Sequence, residues 1–489
     1  MDVPPVVAPS REDPVVVGMS ETVGGPVGRR ALLGRHGWTT ALILVVLTLV
    51  TCIAGFGQKL PCRDPGNWTH EFQYTHLCYS DLTALYYSEG LVGDRDVVTD
   101  TGTRLSVPYA DHAVEYPVVI GGLMWVGAEV ANHLHPNDPH LSRTASGKEK
   151  VSDARPLAFF DVTALILTAF AVITVLAVCL THRRRPWDAA LVALSPALVF
   201  HAFTNWDLAA AAFASLALLA WARRRPWLAG LFLGLGTATK LYPVLFLVPL
   251  FVLCLRGRRL AAWWSVTIGT AITWFVVNAP VMVSHFTAWK TFYVQNKTRP
   301  ADFDSLWFVF NNWHHTQVVS DVHQLNIGVA VAVGVALAAV GVLILVSPRR
   351  PRLPQVLFLS LAAFLLLNKV DSPQYVIWLV PLAALARPKW SAFLLWQLTE
   401  IPLLVTRYLY FVRRDDPHHG LNFDWFASMV LMRDAALLFL MALVVREILR
   451  PEHDVVRRFG DDDPAGGVLD NAPDGVVVHS RLWPAAVPA

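Results

Sequence analysis

Ionisable residues are scarce in this chain, so the places where they gather are informative: charged residues make up 16% of 489 positions, against 54% hydrophobic ones. The stretch LLLNKVDSPQYVIWLVPL, residues 365–382, sets Lys369, Asp371, Gln374 and Tyr375 between two apolar runs. Similar polar breaks are SDLTALYY with Asp81, PYADHAVEYP with Glu115 and Tyr116, HAFTNWDL with Asn205 and Asp207, TATKLYP with Lys240, and VTRYLYFVRR with Arg407. A carboxylate among such groups can accept a proton from an attacking hydroxyl. Lysine and arginine can hold a departing anion, and amide or phenol groups can orient a polar substrate. Each residue also has a plainer role open to it. Lysines and arginines snorkel from helix ends, and aspartates such as Asp81 and Asp207 cap helices. An ionisable group at a membrane boundary is costly, however, and the convergence of so many segments favours a site.

The elements that must position these residues are apolar helices. Apolar runs long enough for a bilayer, about 20 helical residues, recur along the chain, which is the mark of an all-α polytopic membrane protein. Basic clusters at Arg29, Arg30 and Arg35, then at 183–185, 223–225, 256–259, 349–352, Arg387 with Lys389, and 457–458 belong in the cytoplasm by the positive-inside rule. An even number of crossings then separates successive clusters, and about twelve spans result, with both termini inside. Arg413 and Arg414 are the exception, falling outside. Residues 1–36 read as a disordered leader, 37–450 as the transmembrane domain, and 451–489, containing GDDDPAGG, as a disordered tail. Residues 57–156 form one large outer loop. Within it, YPVVIGGLMWVGAEVANHL (116–134) reads as a helix at the outer surface, since a crossing there would invert every later arginine cluster. The net charge of +3 gives nucleic-acid binding no support.

Of five cysteines, Cys62 and Cys78 lie in the outer loop, where two thiols can persist as a disulfide. The turn-forming DPGN between them can fold the segment back, and the pairing is expected. The DRD (Asp94, Asp96) and DFD (Asp302, Asp304) triplets have carboxylates spaced to hold a hard cation, but so short a pattern arises easily by chance. No metal and no cofactor is expected. His314 and His315, in a loop rich in Trp and Phe, read as interface residues.

In the order of its segments the chain resembles the glycosyltransferase-C superfamily, and in particular family 87, the polyprenol-phosphate-mannose-dependent mannosyltransferases of actinobacteria. The pieces that carry the resemblance are SDLTALYY, EYPVVIGG, TKLYP and KVDSPQYVIWLVPL, spread over residues 40–446. The chain departs from many members in having TNWD where they have Gly-Gln before the Asn. The resemblance implies a membrane enzyme with juxtamembrane helices in the first outer loop, passing a sugar, mannose with arabinofuranose or another pentose as the alternative, from a polyprenyl phosphate to a glycolipid or glycan acceptor. Asp81 matches the family's position for the base, and Lys240, Lys369 and Arg407 are candidates for the phosphate. Asp371, Gln374, Tyr375, Glu115, Tyr116, Asn205 and Asp207 are candidate substrate-site residues, with two alternatives at the kinked turn: Asp371 orients Lys369, or Gln374 and Tyr375 contact the sugar. The rival readings are a lipid-linked-sugar flippase or transporter, whose charges would line a midplane path, and a non-catalytic envelope-assembly protein, which needs no acid.

Overall fold

The computed structural model describes residues 6–7, 13–28, 37–68, 70–91, 98–99, 102–103, 107–136, 140–143, 149–313, 319, 321–458 and 460–475. The chain is an all-α polytopic membrane protein. Helix α1 is Pro14–Gly28 and α2 is Gly37–Lys59; the long connection that follows α2 carries α3 (Phe72–Thr75), α4 (Asp81–Ser88) and α5 (Val118–Leu134). It also holds two antiparallel pairs, Val98–Thr99 with Gly102–Thr103 and His140–Arg143 with Glu149–Ser152. Beyond it come α6 (Arg155–Thr181), α7 (Ala190–Ala193), α8 (Pro196–His201), α9 (Asp207–Ala222) and α10 (Pro226–Thr239). Next are α11 (Leu247–Arg256), α12 (Leu260–Ser284), α13 (Phe286–Thr298), α14 (Leu306–Trp313) and α15 (Val322–Val346). The series ends with α16 (Leu353–Leu367), α17 (Val376–Ala386), α18 (Trp390–Asp415) and α19 (Phe423–Leu449).

Two ends of the bundle are distinguished by what their loops contact. At one end the arginine-rich loops meet one another and the C-terminal segment. At the other, residues 59–81, 116, 203–207, 240–242, 299–305, 368–375 and 407–411 come together. Among the described residues, twelve helical runs connect these ends: α2, α6, α7 with α8, α9 to α12, and α15 to α19. Among the described residues, five helices are long and apolar enough to cross a bilayer on their own: Trp38–Cys62, Arg155–Thr181, Leu260–Ser284, Val322–Val346 and Phe423–Leu449. Asp207–Ala222, Tyr242–Arg256, Leu353–Leu367 and Pro373–Ala386 are shorter. At 1.5 Å per residue they reach only roughly 20–25 Å, against a hydrocarbon core of about 30 Å. Each of these short helices stops at the end opposite the arginines, so that end is recessed between the longer ones.

Close packing follows from small residues. The sequence of α9, DLAAAAFASLALLAWA, is apolar on all sides and is buried accordingly. On α10, Gly230 and Gly234 lie against α12, where a Cβ on Gly230 would collide with the Val266 carbonyl and one on Gly234 would come 2.7 Å from the Thr270 carbonyl. This is the small-residue contact that lets helix backbones approach in a membrane. In α5, Gly127 sits over Phe159 and Thr163 of the first turns of α6, while Tyr116, just before α5, packs on Trp206 beside Phe159. Helix α5 therefore lies against the recessed end.

The chain ends correct the expectation of disorder over residues 13–28 and 451–475. Asp13 caps α1, its Oδ1 accepting from Val15 N at 2.9 Å, and its Oδ2 accepts from Trp390 N at 2.9 Å. In the C-terminal segment the acids meet arginines from separate loops: Asp461 with Arg184 (3.2 Å), Asp462 with Arg349 (2.8 Å) and Arg350 (3.2 Å), and Asp474 with Arg256 (2.7 Å). Asp454 pairs with Arg352 at 2.7 Å, both fully buried. Acidic composition read alone suggests a solvated tail; here it is the counter-charge of a basic surface.

Candidate active site

The recessed end holds a cavity of about 580 Å³. Its polar lining comes from segments far apart in sequence: Asp81, Glu115, Tyr116, Asn205, Lys240, Asp302, Lys369, Gln374, Tyr375 and Arg407 all reach it.

Asp81 is placed by the long connection between α2 and α6. Ser80, not Asp81, caps α4: its Oγ accepts from Leu82 N at 3.2 Å and donates to the Phe203 carbonyl at 2.6 Å. Asp81 is the first helical residue, and its N–H donates to the Thr204 carbonyl at 2.8 Å. Its carboxylate is thus left for the cavity, where neutral groups hold it. Tyr79 Oη donates to Oδ1 at 2.8 Å and Asn205 Nδ2 to Oδ2 at 2.7 Å. Among the described residues no cation forms an ion pair with it. The charge on Asp81, with burial, pushes the Tyr79 phenol well above its usual range, so Tyr79 remains a donor. Asn205 is itself oriented by Trp206 N–H donating to its Oδ1 at 2.6 Å, and its Nδ2 also donates to Tyr116 Oη at 2.8 Å. A disulfide joins Cys62 to Cys78 with Cα atoms 5.5 Å apart, closing the loop that presents Tyr74 and Tyr79. Lys59, at the end of α2, donates to the Tyr79 carbonyl at 2.8 Å.

The cationic side faces this carboxylate. Lys240 ends α10; its Nζ lies 3.4 Å from Asp207 Oδ1 and 5.0 and 5.7 Å from the ring centroids of Tyr116 and Tyr375. Tyr375 stacks on Trp378 at 3.9 Å and Trp378 on Tyr242 at 4.4 Å, so the TKLYP and SPQY elements meet as one aromatic stack. Lys369 donates to the Arg299 carbonyl at 2.6 Å, and burial, aided by the Arg299 charge, holds it below the usual lysine range. Arg407 donates from Nε to Asp304 Oδ2 at 2.8 Å and lies over Phe411. Burial pushes Asp304 up to about 6, with Arg407 opposing the rise. Glu115, at the rim, accepts from Gln295 at 3.2 Å; its own N–H donates to Glu89 at 3.4 Å, and Glu89 is pushed up to about 7 by burial.

Two assignments are corrected. Asp371 does not orient Lys369: it is buried outside the cavity lining and pairs with Arg433 of α19 at 2.8 Å. Asp207 is not a substrate contact in this geometry; it is fully buried behind Lys240 and accepts from Trp378 Nε1 at 2.8 Å. Tyr79, Lys59, Arg299 and Arg433 were not singled out by sequence reasoning. For Arg433 a signal existed, since an arginine inside an apolar span is costly and therefore informative. Asp302 and Asp304 turn to different arginines, Arg299 at 3.2 Å and Arg407 at 2.8 Å. Among the described residues no group of three or more His, Cys, Asp or Glu could hold a metal ion. Asp94, Asp96, His314 and His315 lie outside the described residues.

A carboxylate held by neutral donors, facing cations across a polar cavity, can take a proton from a nucleophile while an anion leaves on the other side. Residues 155–368 match the family model of glycosyltransferase family 87, and no curated protein matches the chain. The match takes in Asn205, Asp207 and Lys240 and ends one residue before Lys369.

Proposed function

Taking the chain as a membrane glycosyltransferase matching family 87 over residues 155–368, we propose that it moves a sugar, mannose, from a polyprenyl-phosphate donor to a cell-envelope glycolipid or glycan. Transfer occurs in the recessed cavity, on the extracytoplasmic face of the cell membrane, the arginine-rich end lying in the cytoplasm. The observation that supports this reading most is the contrast within one cavity: among the described residues the Asp81 carboxylate is bonded to Tyr79 and Asn205, both neutral, while Lys240, Lys369 and Arg407 line the same space.

The acceptor hydroxyl attacks the anomeric carbon and gives its proton to the Asp81 carboxylate as the new glycosidic bond forms. The bond from the anomeric carbon to the phosphate oxygen breaks, and polyprenyl monophosphate leaves. Lys369 and Arg407, with Lys240 behind them, stabilise the charge that grows on that oxygen. Asn205 and Tyr79 hold the carboxylate so that its free lone pairs point at the acceptor, and Tyr116 and Tyr375 offer ring surfaces to the sugar. The recessed site suits a donor whose reactive phosphate sits at the membrane boundary.

Incubating purified protein with labelled polyprenyl-phosphate sugars and candidate glycolipid acceptors tests the proposal. Labelled glycolipid is the expected product. Transport of the lipid-linked sugar across a vesicle membrane without any transfer would replace the reading with that of a flippase.

A further inference from the structure

Arg433 sits within α19, an apolar helix long enough to cross a bilayer, and is 6% exposed. A charge there is expensive, and a buried ion pair is often no more stabilising than well-packed apolar residues. What distinguishes Arg433 is where its bonds go. One Nη2 donates to Asp371 Oδ2 at 2.8 Å and to the main-chain carbonyl of Asp304 at 3.1 Å, joining two loops, 299–305 and 368–372. These loops are zipped elsewhere too: Asp302 N donates to the Lys369 carbonyl at 2.7 Å, and Ser372 Oγ to Asp302 Oδ2 at 3.1 Å. Both loops carry the cationic side of the cavity. Lys369 is two residues from Asp371, and the Asp304 carboxylate that fixes Arg407 belongs to the residue whose carbonyl Arg433 holds.

We infer that Arg433 is a positioning residue for the anion-holding side of the cavity: by tying the two loops together it sets the separation of Lys369 and Arg407. The inference rests on the proposed function for what that anion is, the phosphate of a polyprenyl monophosphate, but the tie between the loops stands on its own geometry. The two N–H groups of that Nη2 lie in the guanidinium plane, which Nε fixes by pairing with Asp434 at 2.6 Å, so both acceptors are held in a set direction; an ammonium at that position is a point charge on a flexible stem and holds the loops less rigidly.

The test uses the full-length protein in detergent, with Arg433→Lys and the combined variant Arg433→Met/Asp371→Asn/Asp434→Asn. The combined variant removes Arg433 together with the two carboxylates it pairs with, Asp371 at 2.8 Å and Asp434 at 2.6 Å, so neither is left as an uncompensated buried ion. Two readouts are taken on folded protein. In the first, binding of polyprenyl monophosphate should weaken by about 10-fold in both variants. The KM for the donor should rise by a similar factor and the KM for the acceptor stay unchanged, a split that mere loss of stability does not produce. The second is the distance distribution between spin labels at Ala301→Cys and Leu367→Cys, in a background lacking the three free cysteines. It should be narrow with Arg433 and broad without it. Unchanged lipid-phosphate binding with an unchanged distribution overturns the inference. Should the unmodified protein fail to bind polyprenyl monophosphate, the proposed function falls, and the label distances decide the tie alone: broadening supports it and an unchanged distribution refutes it.

Discussion

Arginines and aspartates crowd both ends of the bundle, yet the two ends use them differently. At the arginine-rich end the buried arginines Arg185, Arg256, Arg350, Arg352 and Arg387 each meet a carboxylate. Arg352 is fully buried, paired with Asp454 at 2.7 Å and donating to the Leu385 and Ala386 carbonyls at 2.9 and 2.6 Å. Arg256 is likewise shared between Asp474 and the Ile344 and Ser347 carbonyls. At the recessed end, among the described residues, the Asp81 carboxylate is bonded to neutral donors and the Lys369 ammonium to carbonyls. Density of charge therefore does not mark a reactive centre. A carboxylate and an ammonium kept in one cavity without neutralising each other do, because each remains available to a charge that develops during a reaction.

This contrast makes opposite demands on substitutions. Arg352→Ala leaves Asp454 buried without a partner and should cost about 3–5 kcal/mol of stability. Transfer per folded molecule should be unaltered, and calorimetry beside an activity assay on the surviving folded fraction would read both. Asp81→Asn should do the reverse. It keeps the shape and most hydrogen bonds but cannot take a proton, so turnover should fall about 100-fold or more while the melting temperature holds. Near-normal transfer by the Asn variant would remove Asp81 from the chemistry. Lys369→Ala removes a contact to the leaving group and should raise the donor KM by about 10-fold, with kcat falling too if charge grows on departure. An effect confined to the acceptor's KM would move Lys369 to the other substrate.

The smallest effect concerns the rim. Glu89, pushed up from an ordinary value near 4.5 to about 7 by burial, holds its proton more tightly when folded than when unfolded. Its contribution to stability is therefore full at low pH and is lost as pH rises through that window. Glu89→Gln should match the unmodified protein's melting temperature near pH 4.5 and exceed it by a few degrees at pH 8. A variant less stable than the parent at pH 8 would show that the ionised carboxylate is instead stabilising.

How far the sequence could be read follows the same division. Helical spans are written in local composition, and Asp81, Asn205, Lys240, Lys369 and Arg407 interrupt apolar runs so plainly that their common placement could be considered before any coordinates. Partnership is not local. Nothing near Asp371 indicates that its charge belongs to Arg433, 62 residues on, or that Lys240 leans on Asp207 of the preceding helix. The acidic run at 461–463 reads as a solvated tail until Arg184, Arg349 and Arg350 are seen to converge on it. Tyr79, which gives Asp81 one of its two hydrogen bonds, sits two residues away and could have been noticed as a neighbour able to reach it.

Chemistry at Asp81, with the leaving phosphate held across the cavity, would be visible in a structure of the protein with a non-hydrolysable polyprenyl-phosphate sugar. The phosphate is expected within about 4 Å of Lys369 or Arg407, on the cavity side opposite Asp81. The Asp81 carboxylate should then lie close enough to the anomeric carbon for an acceptor hydroxyl, about 3–3.5 Å from that carbon, to bridge the two. A phosphate bound among the arginines of the other end, or a sugar turned away from Asp81, would contradict it.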